Sequence, residues 1–496
     1  MKSLTRALHI PYHAERGKLV GSAEVRYTAR FMAEQQANHT LESLGYKPQF
    51  KRVLSLRDLI LYGLVILTPT APYPVFGIVQ QASHGHAALS YLVAMVAMMF
   101  TAASYGKMSG AFPTAGSTYT YAQRALNEHI GFLAGWGMIL DYFLIPLLSV
   151  IYASLTLSRL LPAVPYFVWV VAFTATITTI NVRGIKVTTS ASKVMMAIMT
   201  GCAVIFIYLA ARWVATVHGF GGLFDSLGVY RAQDFGIRPL MLGAALATLS
   251  YIGFDAISTL AEDTIHPERD IAIATVLVCI FQTLICFVTV YLAALVWPDY
   301  HSFPNPETVI LDISTNIGGK WMFSLVTFVL LVAGLASALT GQAGASRLLF
   351  GMGRDGVISK RIFAYVNPRY STPTRNIYLM AAVSLVGAYF MNFQLATELV
   401  NFGAFVGFIL VNLSVIRHYY IRQRRRRGLE FFTHFVFPSL GALVCAYVWL
   451  SLTAKAKVVG FVWMGLGVIY LAVITKGFRI PPKSLGTLVE EVANAD

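Results

Sequence analysis

Between residues 59 and 475 the sequence returns repeatedly to apolar runs of about twenty residues, the length that crosses a ~30 Å hydrocarbon core at about 1.5 Å per residue. They lie at 59–82, 87–105, 131–157, 164–181, 194–216, 239–261, 271–297, 321–350, 377–393, 396–416, 433–453 and 458–475. No soluble fold hides so many such runs. Only 12% of the 496 residues are charged, against roughly 25% in soluble chains. The expectation is an all-α polytopic membrane protein with twelve transmembrane helices. Residues 1–50 are polar and hold no apolar stretch of signal-peptide type, so no cleavage is expected.

The net charge of +15 would suit a nucleic-acid partner, but its placement argues otherwise. With the N-terminus inside, 31 of the 38 Lys and Arg fall on the inner side and seven on the outer. That asymmetry predicts cytoplasmic termini and a basic face against anionic membrane lipids, with no nucleic acid. Arg424–Arg427 reads as an anchor of this kind. Cys202, Cys279, Cys286 and Cys445 lie singly in apolar runs and read as small core residues.

The first run contains Thr68-Pro69-Thr70-Ala71-Pro72-Tyr73-Pro74. Each proline lacks an N–H and clashes with the preceding turn, so no helix passes intact. Lipid offers no replacement bonds, so a break at membrane depth must be buried in protein or line a wet cavity. The sixth run carries a second breaker, Gly253, in Ser250-Tyr251-Ile252-Gly253-Phe254-Asp255. Either break could be a simple kink or close-packing point with no site; breaks at corresponding places in two halves favour a secondary transporter with its substrate site between them.

A carboxylate near the bilayer midplane costs on the order of 2.5–3.5 kcal/mol and asks for a function. Asp141 lies about ten residues into the third run, roughly 15 Å deep, and Asp255 sits beside the second break. Both are candidates for binding a cationic substrate, for carrying a coupling proton, or for anchoring helices. A bound cation stabilises the ionised form of a buried acid, which links substrate to proton. Tyr62, Tyr73, Tyr142 and Tyr251 offer π faces to an ammonium, with Tyr73 and Tyr251 favoured because they flank the breaks. Ser337 and Thr340 are candidate ion-site residues in a span rich in small side chains. Glu262 and Arg269 read as an inner gate, and Glu398 as outer rim.

Several stretches carry a resemblance. Phe112-Pro113-Thr114-Ala115-Gly116-Ser117-Thr118-Tyr119-Thr120-Tyr121-Ala122-Gln123-Arg124 resembles the cytoplasmic loop of the amino acid–polyamine–organocation permeases. Gly131–Trp136, Asn181–Lys186, Gly253–Asp255, Ser346–Gly356 and Asn401–Ala404 resemble further motifs of that family, in order. Within it, Leu44–Arg57, Tyr105–Asp141 and Tyr251–Glu262 are most similar to bacterial putrescine importers. The resemblance implies a 5+5 inverted repeat with two peripheral helices. The division expected is a tail over 1–55, repeats over 56–216 and 239–420 joined by an outer loop at 217–238, peripheral helices over 421–476, and a tail over 477–496.

Amino acid carriers of this family typically have a glycine-rich first break whose N–H groups receive the substrate carboxylate. Pro69, Pro72 and Pro74 remove donors there, while two acids are available, so a diamine such as putrescine fits better. The N–H groups of Thr70, Ala71 and Tyr73 keep an amino acid permease or exchanger open. Met199 stands where proton-coupled relatives often carry lysine, and Leu249 where they carry an aromatic lid. The expected substrate set is Thr68, Thr70, Ala71, Tyr73, Asp141, Tyr142, Tyr251, Gly253 and Asp255, with Leu249 among the gating residues. No cofactor is expected beyond a coupling ion, a proton, and the cell membrane is the expected location. Scattered histidines and no phosphate-loop or zinc-protease motif argue against an enzyme; a channel or transport-derived sensor is the remaining alternative.

Overall fold

The structure, a computed structural model, describes residues 52–113, 117–184, 189–261, 264–354, 359–370 and 372–479. The tails, Glu262 and Asp263, and the 114–116, 185–188 and 355–358 parts of the family motifs lie outside the described residues. Helices make up most of the described residues, with one parallel bridge between Leu54 and Thr264 among them.

The first run forms two helices, α1 (Leu56–Leu67) and α2 (Pro72–Ala82). Pro72 is tolerated as the first residue of α2 because a helix has no internal use for that N–H. Then follow α3 (Ala87–Ala111), α4 (Ser117–Ala125), α5 (Glu128–Leu160), α6 (Tyr166–Arg183) and α7 (Thr189–His218). The sixth run begins as α8 (Ile237–Ala247) and continues as two 3₁₀ turns, Thr248–Tyr251 and Phe254–Leu260. After it come α9 (Pro267–Val296), α10 (Val309–Arg354, interrupted at Gly319), α11 (Thr374–Phe390), α12 (Phe393–Val415), α13 (Phe437–Leu450) and α14 (Ala454–Ile474).

Among the described residues nine helices are long and apolar enough to cross a membrane, three fewer than the twelve apolar runs. Two of the three remaining runs are the broken ones, and the third forms α11, with 17 residues. Helix α10 also starts well ahead of its apolar run.

Small residues let the helices approach closely, as they must where apolar side chains gain nothing by leaving lipid. A Cβ on Gly106 of α3 would lie 2.4 Å from the Ala272 Cα of α9, so these two backbones touch. Polar side chains cross between helices: the Ser104 hydroxyl donates to Asn412 Oδ1 at 2.6 Å, and Asn181 Nδ2 to Gln342 Oε1 at 2.8 Å.

Glu398 departs from its expected place at the rim. It is 1% exposed, and its Oε2 accepts the Thr453 N–H at 2.9 Å and the Thr453 hydroxyl at 2.5 Å. Its Oε1 accepts Gln394 Nε2 at 3.0 Å. Thr453 is the N-cap of α14, so this acid ties α12 to the start of the last helix, where helix polarity favours a negative charge. Glu398→Ala leaves those part-buried donors without an acceptor and should remove about 1–3 kcal/mol of stability, whereas Glu398→Gln retains one acceptor oxygen and should lose less. Thermal unfolding of the purified variants checks this.

Candidate functional site

Both breaks are held by unusual backbone. Thr68 has φ 52°, a left-handed conformation that a β-branched residue adopts only under constraint. Gly253 has φ 115°, and a Cβ there would come within 2.2 Å of Ile66 Cγ2, so the second break passes directly against the end of α1. Glycine is required on both counts.

One buried side chain serves both breaks. Gln282, midway along α9, donates through Nε2 to the carbonyls of Leu67 at 3.2 Å, Thr68 at 3.1 Å and Ser250 at 3.2 Å. Its two amide protons are shared among three acceptors that the broken helices leave open. The adjacent Thr283 hydroxyl lies 2.8 Å from the Tyr251 hydroxyl, which also donates to the Tyr91 carbonyl at 3.2 Å. Sequence reasoning missed Gln282; its signal was a polar amide inside the otherwise apolar run 271–297.

The N–H groups at the breaks are largely spent. Ala71 donates to the Thr68 carbonyl and Tyr73 to the Thr70 carbonyl, both at 3.1 Å. That removes two of the three donors expected to be free, leaving Thr70. At the second break, Asp255 is the second residue of the Phe254–Leu260 turn and its Oδ1 accepts the Gly253 N–H at 3.3 Å. The position where a ligand carboxylate would bind a helix N-terminus is therefore occupied by the protein's own carboxylate.

Asp141 and Asp255 are within reach of each other's charge. Asp141 is 6% exposed, and its Oδ1 has no hydrogen-bond partner among the described residues. The hydroxyls of Tyr62, Tyr105, Tyr121 and Tyr142 all lie within the electrostatic range of Asp255. Phe254 packs on Tyr105 with ring centroids 5.5 Å apart, fixing the wall behind the acid. Tyr105 and Tyr121 were also absent from the expected set, because nothing local marks them among 25 tyrosines.

Exposure separates the four expected tyrosines. Tyr62 is 38% exposed and Tyr142 42%, while Tyr73 and Tyr251 are enclosed. The ring of Tyr73 packs on Phe206, with centroids 5.1 Å apart, and the Tyr251 hydroxyl is committed to Thr283 and Tyr91. The preference for the tyrosines beside the breaks is thus reversed in geometry: the open faces belong to α1 and α5. More broadly, α2 and the 243–251 stretch are packed in, whereas 60–66 and 252–256 present partly exposed positions. The enclosed positions thus lie on the α2 side of the breaks and the exposed ones on the α1 side.

Other expected residues lie around this centre. Ser337 and Thr340 are exposed on α10, one turn before Gly341 and Gly344, which face Pro146 and Tyr142 of α5. No hydrogen bond links them to either break among the described residues. Leu249 is partly buried against the core, Arg269 is exposed at the start of α9, and Glu262 lies outside the described residues. The ordered contact at this end is a different one: buried Arg52 donates to the carbonyls of Ala261 at 2.9 Å and Thr264 at 3.0 Å. It covers the end of the Phe254–Leu260 turn, and the Ile265 N–H donating to the Leu54 carbonyl at 3.1 Å completes the latch.

The amino acid permease family matches residues 75–478. The low-affinity putrescine importer PlaP of Escherichia coli K12 is 34% identical over 451 residues, which cover 90% of this chain and 98% of that protein. The branched-chain amino acid permease BcaP of Bacillus subtilis is 26% identical over 458 residues, 84% of this chain and 92% of that one. The vacuolar cationic amino acid transporter 4 of Arabidopsis thaliana is 28% identical over 390 residues, covering 74% and 63%.

Proposed function

This chain belongs to the amino acid permease family and is a multi-pass membrane transporter, not an enzyme, and from that premise we propose that it imports a small organic diamine of the putrescine kind by proton-coupled alternating access across the cell's inner membrane. The observation that carries the choice of cargo is the state of the two breaks. The carboxylate of Asp255 takes the N–H of Gly253, and Ala71 and Tyr73 donate internally, so of these four N–H groups at the breaks only that of Thr70 is left to a zwitterion's carboxylate among the described residues. A ligand with two ammonium groups instead meets two acids, Asp255 and Asp141.

In this reading Asp255 and Asp141 receive the cation and exchange it for a proton, Tyr62 and Tyr142 offer ring faces, and Thr68, Thr70 and Ala71 supply backbone at the strained break. Gly253 lets the two breaks pass, while Tyr73 and Tyr251 hold the closed side. Ser337 and Thr340 line the α10 side, and Leu249, Arg269 and Arg52 act in gating. Two five-helix halves, 56–216 and 239–420, rock about this centre, and with both termini cytoplasmic the open side faces inward. The similarity to the putrescine importer PlaP along nearly its whole length supports the same cargo.

A second reading, amino acid permease or exchanger, draws on the free Thr70 N–H and on the relatives named for amino acids. Uptake of labelled putrescine into proteoliposomes under an imposed pH gradient, competed by lysine and by branched-chain amino acids, separates the two. Putrescine uptake driven by the gradient is expected; displacement by amino acids with no putrescine entry overturns the proposal. Tyr142→Ala removes one open ring face worth about 1–2 kcal/mol and should weaken putrescine affinity about 5- to 30-fold, read as a rise in KM with little change in maximal rate.

A further inference from the structure

Away from the breaks, the ends of α3, α9, α12 and α13 enclose an open cleft of about 480 Å³, within the roughly 300–1,000 Å³ range of small-molecule sites. Its walls are built from two segments of π-helix, Ile416–Arg422 after α12 and Phe432–Val436 before α13. Such widened turns are rare and concentrate at functional sites, and here two of them face one space. The first brings His418 and Tyr419 into the lining, the second His434.

The side chains in the cleft form a stack of rings and cations. The rings of Tyr419 and His434 lie parallel, 4.7 Å apart and 9° from coplanar, and the Arg425 guanidinium sits 5.6 Å from the Tyr419 ring centre. The Tyr419 hydroxyl donates to the Lys107 carbonyl at 3.0 Å, fixing α3 against this stack. Lys107 and Arg425 feel each other's charge. Among the described residues neither has a carboxylate within 4.0 Å, although Glu268 lines the cleft and Glu430 lies near Lys107. His434 is 2% exposed, and among the described residues neither its Nδ1 nor that of His418 has a hydrogen-bond partner.

Two like charges with no carboxylate within 4.0 Å among the described residues, beside two ring nitrogens that have no hydrogen-bond partner there, leave room for an oxyanion. Phosphate suits them: it accepts several charge-assisted hydrogen bonds at once, including a bidentate pair from arginine. Arg425 also differs from its neighbours in the run Arg424–Arg427. Its N–H donates to the Tyr419 carbonyl at 3.1 Å and its side chain turns into the cleft, whereas Arg426 lies over Tyr420.

We propose that this cleft binds a phosphate group, carried either by an anionic phospholipid or by a dissolved phosphate compound, and that Lys107, Arg425 and His434 hold it. Basic pockets between membrane helices take lipid headgroups in this way. The site is separate from the cargo site and does not depend on the identity of the cargo.

The test is thermal unfolding of the purified full-length protein in detergent. One arm adds inorganic phosphate against chloride at equal ionic strength; the other adds phosphatidylglycerol against phosphatidylcholine. A rise in midpoint with phosphate assigns a dissolved ligand, and a rise with phosphatidylglycerol alone assigns a headgroup. The rise should disappear in Lys107→Gln/Arg425→Gln and persist in Arg427→Gln, which loses a charge at an exposed position outside the cleft. If the double variant does not fold, Arg425→Gln decides alone, because it leaves the backbone bond to Tyr419 intact. No response to either probe, or an equal response in Arg425→Gln and wild type, overturns the proposal.

Discussion

Asp255→Asn should bind putrescine at least about 30-fold more weakly than wild type while keeping its fold. This side chain has two separable jobs. Asparagine retains an oxygen to accept the Gly253 N–H, so the turn that starts at Phe254 keeps its cap. What is lost is the charge, in a place where Asp141 alone cannot neutralise two ammonium groups. Removing one member of a buried charge pair costs on the order of 2–5 kcal/mol, which is roughly 30- to several-thousand-fold in affinity. Uptake by the variant should also lose most of its dependence on pH if Asp255 carries the coupling proton. Putrescine affinity and pH dependence equal to wild type would show that Asp255 only caps a turn. Asp141→Asn is the companion measurement. The helix-anchoring role predicts failed folding and the binding role predicts failed uptake; because its Oδ1 has no partner to lose among the described residues, failed uptake is the expected result.

Gln282→Leu is expected to have the largest effect on stability. Leucine fills similar space but leaves the carbonyls of Leu67, Thr68 and Ser250 without the donor they share. Each buried group left open costs roughly 1–3 kcal/mol, and no water or lipid group replaces the amide at that depth. The unfolding midpoint should fall clearly below that of Thr283→Val, which removes one hydroxyl contact to Tyr251 and leaves that hydroxyl its bond to the Tyr91 carbonyl. Uptake per folded molecule should fall with it, because the same amide holds both breaks in register. A variant with wild-type stability would mean that the breaks are held by helix packing alone.

Asp255 and Gln282 serve different parts of the site. Asp255 was legible in the sequence, because a carboxylate beside a breaker in an apolar run violates two local rules together. Gln282 was not, because one polar residue in a membrane helix is commonplace and its partners lie 215, 214 and 32 residues away. Tyr142 was read as a candidate ring and Tyr251 as a better one, and packing reversed them. Tyr251 lies next to the break in sequence, but its hydroxyl turns away to α9 and its ring is enclosed. Glu398 looked like rim because it opens a span, yet the last helix folds back and places Thr453 on its carboxylate. The Arg424–Arg427 run read as a uniform anchor, but the π-helical turn before it sends Arg425 into the cleft.

By itself the sequence determined what depends on local composition and period. The apolar runs, their breaks at Thr68–Ala71 and Gly253, and the two deep acids follow from the length a bilayer demands, from prolines without N–H groups, and from the expense of charge in hydrocarbon. The ordered motifs placed the chain in its family. Only the tertiary structure decided which polar groups meet: that Gln282 closes both breaks, that Asp255 occupies its own helix N-terminus, and that Tyr62 and Tyr142 hold the open faces. The reason is physical. Backbone groups freed by a break must be satisfied somewhere within the protein, and packing between distant helices decides which side chain arrives to do so.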